Sequence, residues 1–466
     1  MAARGTALRL RGALGSLALA CALLTGTGTA SADTFSTLYR FTGDANGNGP
    51  SGPLVRATDG NLYGTATGSS GNQTFSTIFR VTPAGVLATL HTFFNGDTNG
   101  LNPLLAFQAA DGYLYGVTNS GVFRVATDGV VTSLYTFSGG ADGYEPAVLI
   151  QATDGNLYGM TRTGGSTSAC GGAGCGTVFK MTTSGTLTTL YSFTGGADGA
   201  LGMVSGGALT QGSDGNLYGA TPQGGTSGPC EGQSNLGLGY SAGCGTIFKL
   251  TLAGTLTTLH TFSGSADGRA PNALVQGADG NLYGTTLLGG AAGEGTTFRI
   301  TTVGTLTTLY TFTGTLSGGS GSGAPDGFLQ GGDGNFYGTT SGLLAAAVEG
   351  GNSGGSVPGD TVFEMTPSAT LTTLHAFSGT DGMSPSGMVQ GSDGNLYGVA
   401  SGGTFSSSPR YGSIFREALS TGTAAGGSSG GGGAGSWLTV CMLTLGLALR
   451  QRRRLQSPAP CGSTKC

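Results

Sequence analysis

One hexapeptide constrains this chain more than any other feature. Asp-Gly-Asn-Leu-Tyr-Gly, or a near copy, starts at Asp59, Asp111, Asp154, Asp214, Asp279, Asp333 and Asp393, at intervals of 52, 43, 60, 65, 54 and 60 residues. After each copy comes a second string, a Thr or β-branched residue, Phe, then a long polar residue, with its Phe at Phe79, Phe123, Phe179, Phe248, Phe298, Phe363 and Phe415. A third string, Leu-Tyr/His-x-Phe, ends at Phe41, Phe93, Phe137, Phe193, Phe262, Phe312 and Phe377. Repeats of this length mean stacked or radial units, because one such unit cannot bury its own faces.

Each unit reads as four strands. In the fifth, strand a spans 273–276, strand b 281–286, strand c 296–301 and strand d 306–312. Asp279-Gly280 makes the a–b turn, since Asp and Gly accept positive φ cheaply. Thr, Leu and aromatic residues suit the strands. The 95 Gly residues fit many short strands and turns, and 38% hydrophobic with 9% charged residues is not a disordered composition. The order of the strings implies closure. The third string comes first, at residues 34–41, and the last unit stops after strand c near Glu417. The N-terminal strand therefore completes the last blade and removes the open edge. The expected fold is all-β, a seven-bladed β-propeller of four-stranded blades over residues 33–420.

These repeats resemble the GloVer tandem repeats of exported bacterial proteins, a family with a choice of C-terminal anchor. The resemblance covers residues 34–418 and implies a propeller and an export address, with no activity attached. The ends fit export. Residues 1–32 read as a signal peptide, with Arg4, Arg9 and Arg11, an apolar run over 13–24, and Ala30-Ser31-Ala32 before Asp33. The apolar run is too short to span a bilayer. At the other end a Gly/Ser linker (421–436) precedes an apolar segment and a basic cluster (437–454) and a tail (455–466). That trio is similar to a GlyGly-CTERM sorting tail. The likeness implies a sorting protease as partner, membrane contact through this segment before processing, and a final place at the bacterial cell surface or outside. Between the two ends 11 basic residues face 23 acidic ones, a net charge of −12. Nucleic acid is thereby disfavoured, since phosphate neutralisation needs clustered Lys and Arg.

Alternating strands put the a–b and c–d turns on one face and the b–c and d–a loops on the other. The variable lengths fall in b–c loops: 161–176, 222–245 and 340–360. Insertions gathered on one face of a repeat protein often mark the binding face. Two of these loops hold Cys170 with Cys175 and Cys230 with Cys244. In an exported chain two local disulfides are expected, with a four-thiol metal site as the rival. Each d–a loop also carries one Asp: Asp44, Asp97, Asp142, Asp198, Asp267, Asp326 and Asp381. Seven carboxylates around a channel mouth form a candidate cation ring, with Ca²⁺ as the fitting ion. The competing reading is that each Asp caps its own turn.

Catalysis needs a constellation that repeats hide poorly. His91, His260 and His375 stand where other units have Tyr39, Tyr135, Tyr191 and Tyr310, so packing accounts for them better than base catalysis. Residues without repeat counterparts are Tyr144-Glu145, Glu231, Tyr240, Glu294, Glu349 and Arg410-Tyr411, expected on loops of the irregular face. Paired carboxylates there could hydrolyse a glycosidic bond, but no spacing selects a pair. The expected function is a non-catalytic binding or scaffold propeller with an extracellular ligand, glycan or protein. The alternative is an extracellular carbohydrate-active or lactone-cleaving propeller enzyme.

Overall fold

Every residue of the hexapeptide has a mechanical task. At Asp154-Gly155, Gly155 takes φ 79° and Asp154 Oδ1 accepts the Asn156 N–H at 3.0 Å. Such positive φ is the conformation Gly enters without steric cost. Leu157 is fully buried. Tyr158 is fully buried too, and its hydroxyl reaches back to Asp154 Oδ2 at 2.8 Å. The final Gly159 pairs with Phe179 of strand c, and a Cβ built on it would lie 2.3 Å from the Phe179 ring. Glycine is required here because the neighbouring ring lies across the backbone. The same contact recurs at Gly219 under Phe248 and at Gly398 under Phe415.

The computed structural model describes residues 34–419 apart from 71–72, 96, 98–99, 167, 169, 203–206, 226–229, 231–242, 314–323, 342–359, 379 and 403–410. Its strands form seven antiparallel sheets. The third blade is typical, with strand a at Tyr144–Gln151, b at Leu157–Thr163, c at Thr177–Met181 and d at Leu187–Ser192. In the first blade strand a is broken into Gly49–Pro50 and Val55–Arg56, giving five short segments. Strands a contact one another from each blade to the next, and that of the seventh meets that of the first, so the ring is closed with strands a innermost.

The closing strand is Thr34–Arg40, paired antiparallel with Ser413–Ala418 of the seventh blade. Phe35 stacks on His375 at 3.5 Å and lies 5.4 Å from Phe415. The first and last described segments thus share one sheet, as the order of the strings requires.

Aromatic edges hold neighbouring blades together. The Phe after strand d of one blade meets the strand-c Phe of the next in a T-shaped pair. Phe137 and Phe179 are 5.3 Å apart, Phe193 and Phe248 5.5 Å, and Phe262 and Phe298 5.4 Å. At the ends of the chain Phe377 meets Phe415 at 5.4 Å and Phe41 meets Phe79 at 5.7 Å. All seven seams carry this pair. Edge-to-face pairs add about 0.5–1.5 kcal/mol each beyond area burial.

Two expectations need correction. Strand a of the fifth blade runs from Arg269 to Gln276, four residues longer than its apolar pattern. Ala270 at φ 53° and a register shift between Pro271 and Ala273 interrupt the alternation that sequence reading relies on. Asp326 does not lie in a d–a loop. It sits inside strand Ala324–Gln330, paired with Thr339.

Candidate functional site

The turn face carries a repeated polar unit built from strands b and c. Each hexapeptide Asp accepts the strand-b Tyr hydroxyl at 2.7–2.9 Å in all seven blades. The residue after the strand-c Phe adds a charge. Lys180 donates to Asp154 at 3.0 Å and Lys249 to Asp214 at 2.8 Å. Burial favours the neutral form of Asp154, but bonds from Asn156, Lys180 and Tyr158 outweigh it and hold the carboxyl down at about 2. Burial and the facing Asp push Tyr63, Tyr115 and Tyr397 up to about 12. The sixth blade departs from this: Glu364 stands in the cation's place, and Asn335 Nδ2 bridges it to Asp333.

A second feature of this face escaped the sequence reading. Strand a ends in Gln, whose Nε2 donates to the C=O of its own turn Gly, as in Gln211 to Gly215 at 3.0 Å. Its Oε1 accepts a turn N–H from the preceding blade. The donors are Thr58 to Gln108, Thr153 to Gln211, Ser213 to Gln276, Ala278 to Gln330 and Gly332 to Gln390, at 2.7–2.9 Å. The signal was legible as Gln three residues before the hexapeptide Asp, but a link to the preceding blade has no trace within one repeat.

On the loop face the candidate cation-ring residues other than Asp326 belong one to each d–a connection. Asp142 accepts Tyr135 Oη at 3.1 Å, Ser138 N at 2.7 Å and Ser138 Oγ at 2.5 Å. Asp198 does the same with Tyr191 and Thr194. Asp267 receives His260 Nε2 and Ser263, and Asp381 receives His375 and Ser378. Asp44 caps Thr42 and Asn46, and Asp97 caps the Phe94 N–H. Burial opposes charge on Asp142, Asp267 and Asp381, yet their donors hold all three carboxyls below the ordinary value. Tyr135, Tyr191, His260 and His375 all reach this carboxylate, so Tyr and His can exchange at that strand-d position. The loop backbone is held in turn by the next blade, as Thr177 Oγ1 donates to Asp142 O and Thr246 Oγ1 to Asp198 O. Among the described residues, no three His, Cys, Asp or Glu side chains converge on a metal-sized site.

Both disulfides are formed, Cys170–Cys175 and Cys230–Cys244. Their second cysteines sit on blade seams. The Cys175 carbonyl accepts the Leu201 N–H of the fourth blade at 3.0 Å, and the Cys244 carbonyl accepts the Ala270 N–H of the fifth at 2.8 Å. Loops of this face also bind each other, with Gly165 N–H on Gly140 O at 2.9 Å and Gly225 N–H on Gly196 O at 2.8 Å. The described residues without repeat counterparts lie in three different blades. Tyr144 and Glu145 belong to strand a of the third blade rather than to a loop, with Glu145 at φ 54°. Glu294 lies beside Gly289 in the fifth blade, and Tyr411 packs over Gly43. Glu231, Tyr240, Glu349 and Arg410 lie outside the described residues, as do the expected signal peptide, linker, anchor and tail.

Residues 94–233 and 234–426 match the Gloeobacter/Verrucomicrobia repeat. The chain belongs to this repeat family. The two matched stretches fall on the blades whose hexapeptides, seams and turns are described above. Comparison with curated proteins finds no match. Solved structures that resemble this repeat protein are propeller-like at low identity. PorZ, a surface component of the type-IX secretion system of Porphyromonas gingivalis, is 11% identical with a TM-score of 0.49, covering 81% of this chain and 48% of its own. The periplasmic gluconolactonase of Pseudomonas aeruginosa is 18% identical with a TM-score of 0.43, covering 70% and 85%. A gluconolactonase of Xanthomonas campestris is 13% identical with a TM-score of 0.39, covering 68% and 84%. Likenesses this loose carry neither a site nor an activity across.

Proposed function

We propose that this repeat-family propeller is exported and acts as a non-catalytic binding or scaffold module, at the cell surface or free outside, presenting its loop face to a glycan or protein. The carrying observation is a division of labour between the faces. On the turn face the repeated Asp, Tyr and Gln are engaged in holding turns and seams. On the loop face, b–c insertions of unequal length are held at their roots by two disulfides. Disulfides suit an oxidising compartment and so support export. A sorting protease acting on residues 421–454, and membrane contact before that cut, remain part of the proposal. Calcium enters only as an arm of the test, because the loop-face carboxylates already accept local donors.

The test is a thermal-shift panel of glycans and divalent cations on the secreted protein, followed by shortening of the 222–245 loop. A ligand-dependent rise in Tm that disappears with the shortened loop supports the reading. Turnover of gluconolactone or a glycoside above the buffer rate would overturn it.

A further inference from the structure

Six of the seven blades end strand a in Gln: Gln108, Gln151, Gln211, Gln276, Gln330 and Gln390. The first blade ends it in Arg56. The register is the same, because Arg56 pairs with Leu62 as Gln390 pairs with Leu396 and Gln276 with Leu282. At five seams the Gln Oε1 accepts the N–H of the residue just before the preceding blade's hexapeptide Asp. At the blade 2–3 seam Gln151 is in place and holds its own turn at Gly155. At the seam between the seventh and first blades that N–H belongs to Ser392. Strand a of the seventh blade touches strand a of the first, so Arg56 and Ser392 hold at this junction the register positions that the Gln and the turn N–H hold at the five stapled seams. Among the described residues neither the Arg56 guanidinium nor the Ser392 N–H has a protein partner. Both are exposed.

We propose that this seam is a carboxylate-binding site at the inner rim of the turn face, with Arg56 and the Ser392 N–H as its two donors. The five stapled seams show what the N–H donates to there: a carbonyl-type oxygen on a planar group at 2.7–2.9 Å. A carboxylate offers the same oxygen on the same planar geometry. It also carries the charge that an Arg fork binds through two parallel hydrogen bonds. The ligand therefore replaces the Gln side chain that this seam lacks. Uronate sugars and peptide C-termini both carry the required group. The site stands apart from the loop face and does not depend on which ligand that face takes.

The experiment compares the secreted wild-type protein with R56Q at constant ionic strength. Glucuronate is set against glucose, and a short peptide acid against its amide. At a concentration ten times Kd, the wild type should gain about 1–2 °C in Tm with a carboxylate and nothing with the neutral analogue. R56Q should lose that response. It should also melt about 1 °C higher without ligand, because the new Gln can accept the Ser392 N–H. Whichever carboxylate gives the larger shift identifies the source. No shift in the wild type, or equal shifts in both proteins, would overturn the site. A full response in R56Q would do the same.

Discussion

Five of the six described c–d turns place a glycine at the same point: Gly85, Gly129, Gly185, Gly254 and Gly304, with φ between 87° and 98°. The sixth has Ala369, at φ 69°. Two demands meet at this point. The turn needs a left-handed residue, and the next backbone is close. A Cβ on Gly304 would lie 2.5 Å from the Leu259 carbonyl oxygen, and one on Gly129 would lie 2.4 Å from that of Leu90. Those Leu residues are the extra residues of a bulge in every strand d, as between Thr258 and His260. A bulge turns the carbonyl out of the ladder and toward the neighbouring blade. Ala369 therefore stores strain. Left-handed backbone costs a non-glycine residue about 1–2 kcal/mol. Replacing Ala by Gly returns about 0.4–1 kcal/mol to the unfolded chain. A369G should then stabilise by about 0.5–1 kcal/mol, and G304A should destabilise by about 1–2 kcal/mol or more. For a cooperative unit of this size about 1 kcal/mol moves Tm by just over 1 °C. Calorimetry on the two variants should show Tm up by about 1 °C and down by about 2 °C. A369G melting at or below the wild type, with G304A clearly lower, would show that Ala369 is relaxed and refute the argument.

Three further outcomes follow from the seams. Removing residues 34–41 should abolish cooperative unfolding, and F41A alone should lower Tm by about 4–6 °C, since Phe41 is 1% exposed and burying such a ring is worth about 3–5 kcal/mol; a compact monomer after the deletion contradicts the closure. K180M should raise the Asp154 carboxyl from about 2 toward the ordinary value, read by carbon-detected NMR titration. The stability that Asp154 contributes is present above its unfolded pKa and is lost as pH falls through the folded one, so in K180M that contribution should be smaller and its loss should be complete at higher pH. The double change C170S/C175S should speed amide exchange at Leu201 of the neighbouring blade as well as within 166–174, because the Cys175 carbonyl holds that N–H; acceleration confined to the loop would mean the disulfide staples only its own blade.

The sequence carried the blade count, the closing strand and the two faces because these follow from repetition, which shows without coordinates. Repetition misled at Asp326. Asp142, Asp267 and Asp381 each stand nine residues before the strand-a Gln, while Asp326 stands four before Gln330, inside the strand. Only the distance to a fixed structural residue separates the cases, and the long insertion ahead of the sixth blade hides it. Strand a was shortened for a local reason, since left-handed Ala270 before Pro271 breaks the period of two. Gln211 could not be read as a staple to Thr153, 58 residues away, because its partner lies in another repeat. Glu364 fits the long polar residue of the second string, so neither its opposite charge at this place nor its bridge to Asp333 through Asn335 stood out.

Repetition also explains why this scaffold can carry a face of unequal loops. Every seam carries the aromatic pair, and most carry further closures. An aromatic pair works in the interior, a Gln staple on the turn face at five seams, and a backbone clasp near the loop face through contacts such as Thr177 to Asp142. None of these contacts draws on the variable part of a b–c loop. Insertions there can change length without touching what holds the ring. The exception shows the rule: in the two blades with cysteines, the loop root itself supplies a seam carbonyl, and there a covalent bond fixes it. A disulfide is therefore expected where a long loop and a seam share a residue. The fifth blade agrees: its b–c connection is short, Glu294 stands where Cys175 and Cys244 do, and Gly295 is tied to Gly289 by a 2.9 Å backbone bond with no disulfide.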